Sequence, residues 1–179
     1  APAPITLGTP DDYAGALETG GKVIASFAKR REMIRSGVEA KAKEMGGRAI
    51  LSEALLEEVT ALVEWPVPVA GRFEERFLEL PREVLISTLQ DHQRYFAVED
   101  ATGRLLTAFI TVSNIESREP AQVRTGNERV VRPRLSDAAF FWQQDRREPL
   151  AARLAGLDAV TFQAKLGSLG AKVKRIESI

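Results

Sequence analysis

Residues 113–147, SNIESREPAQVRTGNERVVRPRLSDAAFFWQQDRR, decide the fold that we predict for this chain. Pro120 suits the first turn of a helix, because its fixed φ is already helical and no partner is needed there for the missing N–H. From this point a set of residues recurs at steps of three or four and shares one helix face: Val123, Asn127, Val130, Arg134, Ala138 and Phe141. Pro133 cannot donate to the carbonyl of Arg129, so the pattern predicts either a kink in one long helix or two helices in series.

Arginine is concentrated in the same stretch, which holds seven of them: Arg118, Arg124, Arg129, Arg132, Arg134, Arg146 and Arg147. A guanidinium group is always charged and forms paired hydrogen bonds with carboxylates or phosphates. The neighbouring acids Glu128, Asp137 and Asp145 favour an internal ion-pair network. The alternative is that the arginines bind the phosphate backbone of RNA, and the residues by themselves leave both interpretations open.

Aromatic residues lie beside these arginines or beside Arg94 in the sequence: Tyr95, Phe96, Phe140, Phe141 and Trp142. Aromatic rings next to arginines can stack on unpaired bases. Adjacent aromatics such as Phe140 and Phe141 are more typical of burial, because they cover large apolar areas. We therefore expect them to hold the helix against a sheet, with base stacking as the alternative.

The composition is that of an ordinary globular protein, with 179 residues of which 44% are hydrophobic and 28% charged. The chain has no cysteine, which excludes a disulfide framework and a thiolate zinc site within it. No run approaches the roughly 20 apolar residues of a membrane span, so no membrane contact is expected. Residues 1–79 carry 10 Lys/Arg and 13 Asp/Glu, whereas residues 80–179 carry 15 and 12. The second half is therefore the one that would face a polyanion.

Helical and strand patterns are interleaved along the chain, without strict βαβ alternation. Helices are predicted at about 10–20, 28–45, 52–64 and 81–90, and a buried strand at 22–27. Two β-rich runs, 91–100 and 104–114, flank a turn that contains Gly103 and predict a β-hairpin. In the second run the side chains of Leu106, Ala108, Ile110 and Val112 are predicted to point one way, and those of Thr107, Thr111 and Ser113 the other, which suits a sheet with one core face.

The expected fold class is α+β, with helices packed on a mainly antiparallel sheet and a long, Pro-kinked, arginine-rich helix. We expect residues 1–179 to form a single α+β domain that is an internal segment of a longer protein. Residues 148–179 are alternatively the start of a following helical region.

A family resemblance rests first on GNERVVRPRLSDAAFF, residues 126–141. This segment resembles the signature of the beta subunit of the bacterial heterotetrameric glycyl-tRNA synthetase. Further segments are similar to that family in the same order: LVEWPVPVAGRFEERFLELP at 62–81, HQRYFAVED at 92–100, NIES at 114–117 and FQAKLGSL at 162–169. Two positions depart from its pattern, since Ala97 stands where proline is usual and Gly170-Ala171 replaces a bulkier, acidic pair.

The resemblance implies that the chain is a fragment of a glycine–tRNA ligase, an ATP-dependent aminoacyl-tRNA synthetase of the cytoplasm. In that family the alpha subunit forms glycyl-adenylate from glycine and ATP, with Mg²⁺, and the beta subunit is needed for tRNA binding and charging. The implied partners are tRNA(Gly), the alpha subunit and a second beta subunit. No catalytic residue, cofactor site or metal site is expected on this segment.

Eight residues are the candidates for tRNA binding: His92, Gln93, Arg94, Arg124, Asn127, Arg129, Arg132 and Arg134. Two other functions stay open. One is a purely architectural module between domains or subunits, in which the arginines form internal ion pairs. The other is an editing-type hydrolytic domain with a pocket near His92, Gln93 and Asn127, although a lone histidine without partners does not make a catalytic site.

Overall fold

Helices and strands are interleaved along the chain, of which the computed structural model describes residues 4–179. The α-helices are α1 Tyr13–Ala16, α2 Phe27–Glu44, α3 Glu53–Leu62, α4 Arg82–Gln93, α5 Pro120–Asp145 and α6 Leu169–Glu177. The strands are β1 Arg48–Ala49, β2 Val67–Arg72, β3 Phe96–Glu99, β4 Leu105–Ser113, β5 Thr161–Gln163 and β6 Gly167–Ser168. Shorter 3₁₀ segments are Pro10–Asp12, Glu75–Glu79 and Leu150–Ala159, and Leu17–Gly21 is a π-helical turn.

Four strands form one antiparallel sheet in the order β1-β3-β4-β2. The predicted hairpin is present as β3 and β4, in which Phe96 lies opposite Ile110. Strand β2 pairs with the other side of β4, and Gly71 lies opposite Phe109. Helices pack on this sheet, so the predicted α+β class is confirmed.

The main core lies between one face of the sheet and helices α2 and α3. Its buried members on the helices are Ile34, Val38, Ala42, Leu55, Leu56 and Val59, with Val63 directly after α3, and those on the sheet are Phe96, Val98, Ala108 and Ile110. The helical members recur at three or four residues and the strand members at two, as each element's geometry requires. Gly37 allows α2 to approach the sheet, because a Cβ atom there would lie 2.6 Å from Cγ of Pro68.

On the opposite face of the sheet the buried Phe109 ring is the central feature. It stacks on Tyr95 with ring centroids 4.8 Å apart. It also covers Gly71, where an added Cβ would lie 2.9 Å from ring atom Cε1. The alternation predicted for β4, with Ala108 and Ile110 facing the main core, is confirmed.

Helix α5 is continuous across Pro133, so the alternative of two helices in series is wrong. Pro133 and Arg129 are both exposed, and the carbonyl that loses its donor is therefore on the side that faces water. The bend at this proline stays a prediction.

From residue 130 onward, the helix face on which Val130 and Arg134 recur is not the buried face of α5. Val131 and Leu135 are buried, whereas Val130 is 46% exposed and Arg134 is exposed. The inward face continues from Asn127 in steps of four, because this choice turns the arginine outward and two aliphatic side chains inward.

Two boundaries also differ from the predictions. Residues 22–26 form no strand, and Ser26 instead caps α2 by accepting from the Lys29 N–H at 3.3 Å. The first strand of the hairpin begins at Phe96, because α4 extends to Gln93 and Arg94 adopts a left-handed conformation that ends it.

The chain divides into two compact units, residues 1–138 and 139–179, so the last residues of α5 belong to the second. In the second unit β5 and β6 pair antiparallel, and the Leu169 N–H donates to the Val160 carbonyl at 2.8 Å. Compactness does not test independent folding, so the predicted domain organisation, including a region that begins at residue 148, stays a prediction.

Candidate functional site

Three candidate residues, His92, Gln93 and Arg94, lie at the carboxyl end of α4. His92 is exposed and Gln93 half-buried, both within the helix. Arg94 has φ 59° and ψ 36°, and its N–H donates to the Gln90 carbonyl at 3.0 Å. Because this conformation brings a Cβ close to the backbone, glycine is the usual residue there, and the neighbouring structure must hold Arg94 in place.

The Arg94 side chain is engaged within the protein. Its Nε donates to Oε1 of Glu58 in α3 at 2.5 Å, and its Nη1 donates to the Asp91 carbonyl. The guanidinium thus connects the end of α4 to α3. These contacts support the architectural interpretation of Arg94.

Asn127 connects α5 to the Tyr95–Phe109 pair. Its Oδ1 accepts a hydrogen bond from the Tyr95 hydroxyl, and its Nδ2 donates to the Val123 carbonyl at 2.7 Å. Burial raises the pKa of the Tyr95 phenol, which therefore remains a neutral donor. The bond at Oδ1 thus holds the helix against the sheet, and the bond at Nδ2, to a carbonyl of α5 itself, fixes the orientation of the amide.

The four arginine candidates on α5 divide into one that is paired and three that are not. Arg132 Nε lies 2.7 Å from Oε1 of Glu74. Within residues 4–179, no carboxylate oxygen lies inside 4.0 Å of the guanidinium groups of Arg124, Arg129 and Arg134.

Among residues 4–179, Glu128, Asp137 and Asp145 do not form the ion-pair network with these arginines that was one of the two open interpretations. Glu128 accepts instead from the backbone N–H of Arg72, at 3.0 Å, and so occupies a donor of strand β2. Among residues 4–179, neither Asp137 nor Asp145 pairs with an arginine.

The unpaired arginines point in different directions. At about 100° per residue, Arg129 lies roughly 140° around the helix from Arg124, and Arg134 lies a further 140° on. All three are exposed. A polyanion that wraps part of the helix could contact two of them together, whereas a flat ligand would reach one.

Two shallow grooves run beside the first half of α5. One is lined by the end of α2, by strand β2 and by Pro120, Ala121, Arg124 and Glu128. The other is lined by Ala121, Gln122, Thr125, Gly126 and Arg129. Each groove thus has one unpaired arginine of α5 at its wall, which gives an anionic ligand a charged contact.

Sequence reasoning missed a buried carboxylate, Glu99, at the end of β3. Its Oε2 accepts from Arg82 Nη2 at 2.5 Å, and its Oε1 lies 2.7 Å from Arg48 Nη2. The hydrogen bond from Arg82, and then the charge of Arg48, lower the pKa of Glu99. A glutamate beside a turn is expected to face solvent. Only the arrangement of β1, β3 and α4 brings Arg48 and Arg82 to Glu99.

Asn114 is a second residue whose role the sequence did not indicate. Its Oδ1 accepts from the backbone N–H groups of Glu64 at 2.6 Å and Trp65 at 3.0 Å. The contact fixes the segment that leaves α3 against the end of β4. A separation of about fifty residues left no local pattern that could predict it.

Neither a metal site nor a membrane span is found in the part of the chain that the structure describes. No group of three or more His, Cys, Asp or Glu side chains is placed there to hold a metal ion. None of the helices between residues 4 and 179 combines the length and the apolar character needed to cross a bilayer.

Comparison with known proteins gives a consistent result along the whole chain. The family model described as glycyl-tRNA synthetase beta subunit matches residues 1–179. The glycine–tRNA ligase beta subunit of Marinobacter nauticus is 54% identical over 179 residues, covering 99% of this chain and 26% of the relative. Those of Hahella chejuensis and Stutzerimonas stutzeri are 54% and 52% identical over 98% and 100% of this chain, and 25% and 26% of each relative is matched.

The chain spans about a quarter of the length of these curated relatives. Similarity at this level, along every element from the sheet to α6, leaves no part of the described structure outside the match. The chain belongs to the glycyl-tRNA synthetase beta subunit family.

Proposed function

We propose that this chain is part of a glycine–tRNA ligase beta subunit and supports tRNA binding and assembly for the attachment of glycine to tRNA. The observation that carries the proposal is the set of three exposed α5 arginines without a carboxylate partner among residues 4–179, Arg124, Arg129 and Arg134. A permanently charged group with no internal partner keeps its full attraction for phosphate. Because the chain belongs to the glycyl-tRNA synthetase beta subunit family, we propose that the phosphates are those of tRNA.

The proposed partners are tRNA(Gly), the alpha subunit and a second beta subunit in the complete enzyme, which we place in the cytoplasm. ATP and Mg²⁺ are assigned to the alpha subunit. No catalytic step is assigned to this chain. Its proposed role is to bind tRNA phosphates and to connect neighbouring domains.

The test is tRNA binding by the full alpha–beta assembly, measured at two salt concentrations. Arg129→Ala should weaken binding and make the slope of log affinity against log salt shallower by about one, as expected for one lost phosphate contact. Arg132→Ala is the matched control, because it lies one turn further along α5 but is paired with Glu74. Unchanged affinity and slope for Arg124→Ala, Arg129→Ala and Arg134→Ala in folded protein would contradict tRNA binding by this helix.

A specific set of contacts favours the architectural module as a second candidate. Arg94, Asn127 and Arg132 all have partners within the first unit, namely Glu58, Tyr95 and Glu74. For these residues substitution by alanine should lower the thermal stability and leave tRNA binding by folded protein unchanged. If all eight candidate residues behaved this way, the module would be architectural throughout.

The editing-type hydrolytic activity stays a prediction. The Asn127 amide is bonded at both ends, and His92 lies exposed at a helix end. Incubation of the full assembly with mischarged tRNA decides the question. Deacylation that is lost in His92→Ala would support the activity, and no deacylation above background would remove it.

A further inference from the structure

The second unit, residues 139–179, exposes almost all of its apolar side chains. Ten large ones are exposed: Phe140, Phe141, Leu150, Leu154, Val160, Phe162, Leu166, Val173, Ile176 and Ile179. Within this unit, every residue of which the structure describes, Gly170 is the only buried residue. The prediction that Phe140 and Phe141 are buried is wrong, since they are 55% and 62% exposed.

Such a unit lacks the means by which small folds stabilise themselves. Below roughly 70–80 residues a single core rarely suffices, and disulfides, metal ions or association with other chains make up the difference. The chain has no cysteine, and no metal-binding group occurs among residues 4–179. The remaining means is coverage by other polypeptide.

Helix α6 shows which surface is left uncovered. Its Leu169, Val173 and Ile176 recur at four and three residues and form one apolar face. Gly170 lies about 100° away from Leu169 around the helix. A Cβ at Gly170 would lie 2.9 Å from Cγ of Asp158, so this other side is the one that contacts the 3₁₀ segment 150–159. Two residues of the apolar face are consequently left uncovered by the second unit, since Val173 is 43% and Ile176 61% exposed.

We propose that the apolar face of α6, together with Leu150 and Leu154 of the 3₁₀ segment, is covered by a further segment of the same polypeptide outside residues 1–179. About three quarters of the length of the curated relatives lies outside the matched region, which is ample to supply it. A covalently connected segment is present at an effective concentration in the millimolar range, so coverage needs no separate association.

The charge of the surface defines the chemistry of the covering segment. Residues 139–179 carry seven Lys/Arg and four Asp/Glu, and Lys172 lies beside the apolar face of α6, about 60° from Leu169 around the helix. The segment should therefore be amphipathic, with apolar side chains toward Val173 and Ile176 and acidic side chains at the edges. Exposed apolar residues that share one helix face mark an interaction site, unlike apolar residues scattered singly. The coverage of α6 does not depend on RNA binding. A failure of the coverage proposal would therefore leave the proposed function in tRNA binding unaffected.

The test uses the full-length subunit, alone and dilute, with single cysteines introduced as Val173→Cys, Ile176→Cys and Lys174→Cys. Lys174 is the matched control, because it is exposed on the same helix but about 140° from Leu169. Maleimide labelling, read by peptide mass spectrometry, should be about tenfold slower or more at 173 and 176 than at 174, since a covered site reacts only after local opening.

Three results would overturn the proposal. Equal labelling rates in the isolated subunit would show that the face is free. Protection that is present only after addition of the alpha subunit, or only at high protein concentration, would assign the face to a partner chain or to a second copy. Protection that is present only with tRNA would assign it to RNA.

A thermal melt of the full-length subunit gives a second measurement. Ile176→Asp should lower Tm by several degrees, because a charge would be placed in a covered apolar contact. Lys174→Asp should leave Tm nearly unchanged. Equal Tm values for Ile176→Asp and the parent protein would also overturn the proposal, and the cysteine variants decide the matter if Ile176→Asp does not fold.

Discussion

Gly71 shows how a single missing side chain fixes the packing of the sheet. The Phe109 ring lies over it from the neighbouring strand, where any Cβ would meet Cε1 and Cε2 at 2.9 Å. The ring in turn stacks on Tyr95. Three residues that are far apart in the sequence therefore pack against one another. A methyl group at residue 71 would displace an aromatic ring that is fully buried, in an interior that is close-packed.

Gly71→Ala should therefore lower the free energy of unfolding by about 1–3 kcal/mol, as overpacking does in other cores. Gly126→Ala is the matched control, because nothing lies within 4 Å of a Cβ there. That substitution lies within α5 and should stabilise the protein by up to about 1 kcal/mol. Urea denaturation of both variants provides the measurement, and equal effects would contradict the packing role of Gly71.

Arg94 combines a left-handed backbone, which is strained, with a side chain that pairs with Glu58. Two substitutions separate the cost of the backbone from the contribution of the pair. Arg94→Ala loses the pair with Glu58 and keeps a left-handed backbone that costs about 1–2 kcal/mol. Arg94→Gly loses the same partly exposed pair, worth about 0–1 kcal/mol, and removes the backbone cost. The glycine variant should thus be the more stable of the two by about 1 kcal/mol in urea denaturation. A smaller difference than the error of that experiment would mean that φ 59° is not strained here.

At the scale of elements, three polar contacts and two buried aliphatic residues hold α5 against the other elements of the first unit within residues 4–138. The contacts are Asn127 with Tyr95, Glu128 with the Arg72 N–H, and Arg132 with Glu74. Val131 and Leu135 are the buried residues. Because this apolar contact is small, the polar contacts carry the orientation of the helix.

Tyr95→Phe keeps the stack on Phe109 and removes only the hydroxyl group. It should lower the free energy of unfolding by about 1 kcal/mol, since Asn127 Oδ1 loses its donor. Tyr13→Phe is the control, because the Tyr13 side chain is 53% exposed. In a double-mutant cycle with Asn127→Ala, the effects of the two substitutions should not add. Additive effects would mean that the two side chains do not interact.

Glu99 connects β1, β3 and α4 through Arg48 and Arg82, and this arrangement predicts a pH dependence. Its pKa is lowered in the folded protein from an ordinary value of 4.5. The carboxylate therefore contributes stability that is complete above pH 4.5 and is lost as the pH falls through the lowered pKa. The pKa of Asp100 is lowered in the same direction, chiefly by the hydrogen bond from the Thr102 hydroxyl.

The free energy of unfolding should accordingly fall as the pH is taken below 4.5, and Glu99→Gln should make this fall shallower. Glu57→Gln, which replaces an exposed carboxylate of α3, is the comparison. Denaturant titrations between neutral and acidic pH measure both. A Glu99→Gln variant with the parent slope would contradict the lowered pKa.

At the scale of the whole molecule, the net charge of zero conceals a basic second half and exposed arginines on α5. Arg124, Arg129 and Arg134 are separated by at least five residues and share no partner, so their contributions to phosphate binding should add. Replacing all three by alanine in the full assembly should make the salt slope of tRNA binding shallower by about two, because a polyanion that wraps part of α5 reaches two of them together. A change of about one would limit the helix to a single contact.

The sequence alone determined the α+β class, the β-hairpin with its core-facing alternation, the long α5 helix and the family. These follow from local periodicity and from motifs that lie within short segments, where neighbours in sequence are neighbours in space. Only the tertiary structure decided which face of α5 is buried, that Asn127 is engaged by Tyr95, and that Arg94 and Arg132 pair with Glu58 and Glu74. Each of these contacts joins residues that are tens of positions apart, and a charged side chain looks the same in sequence whether its partner is internal or is a phosphate.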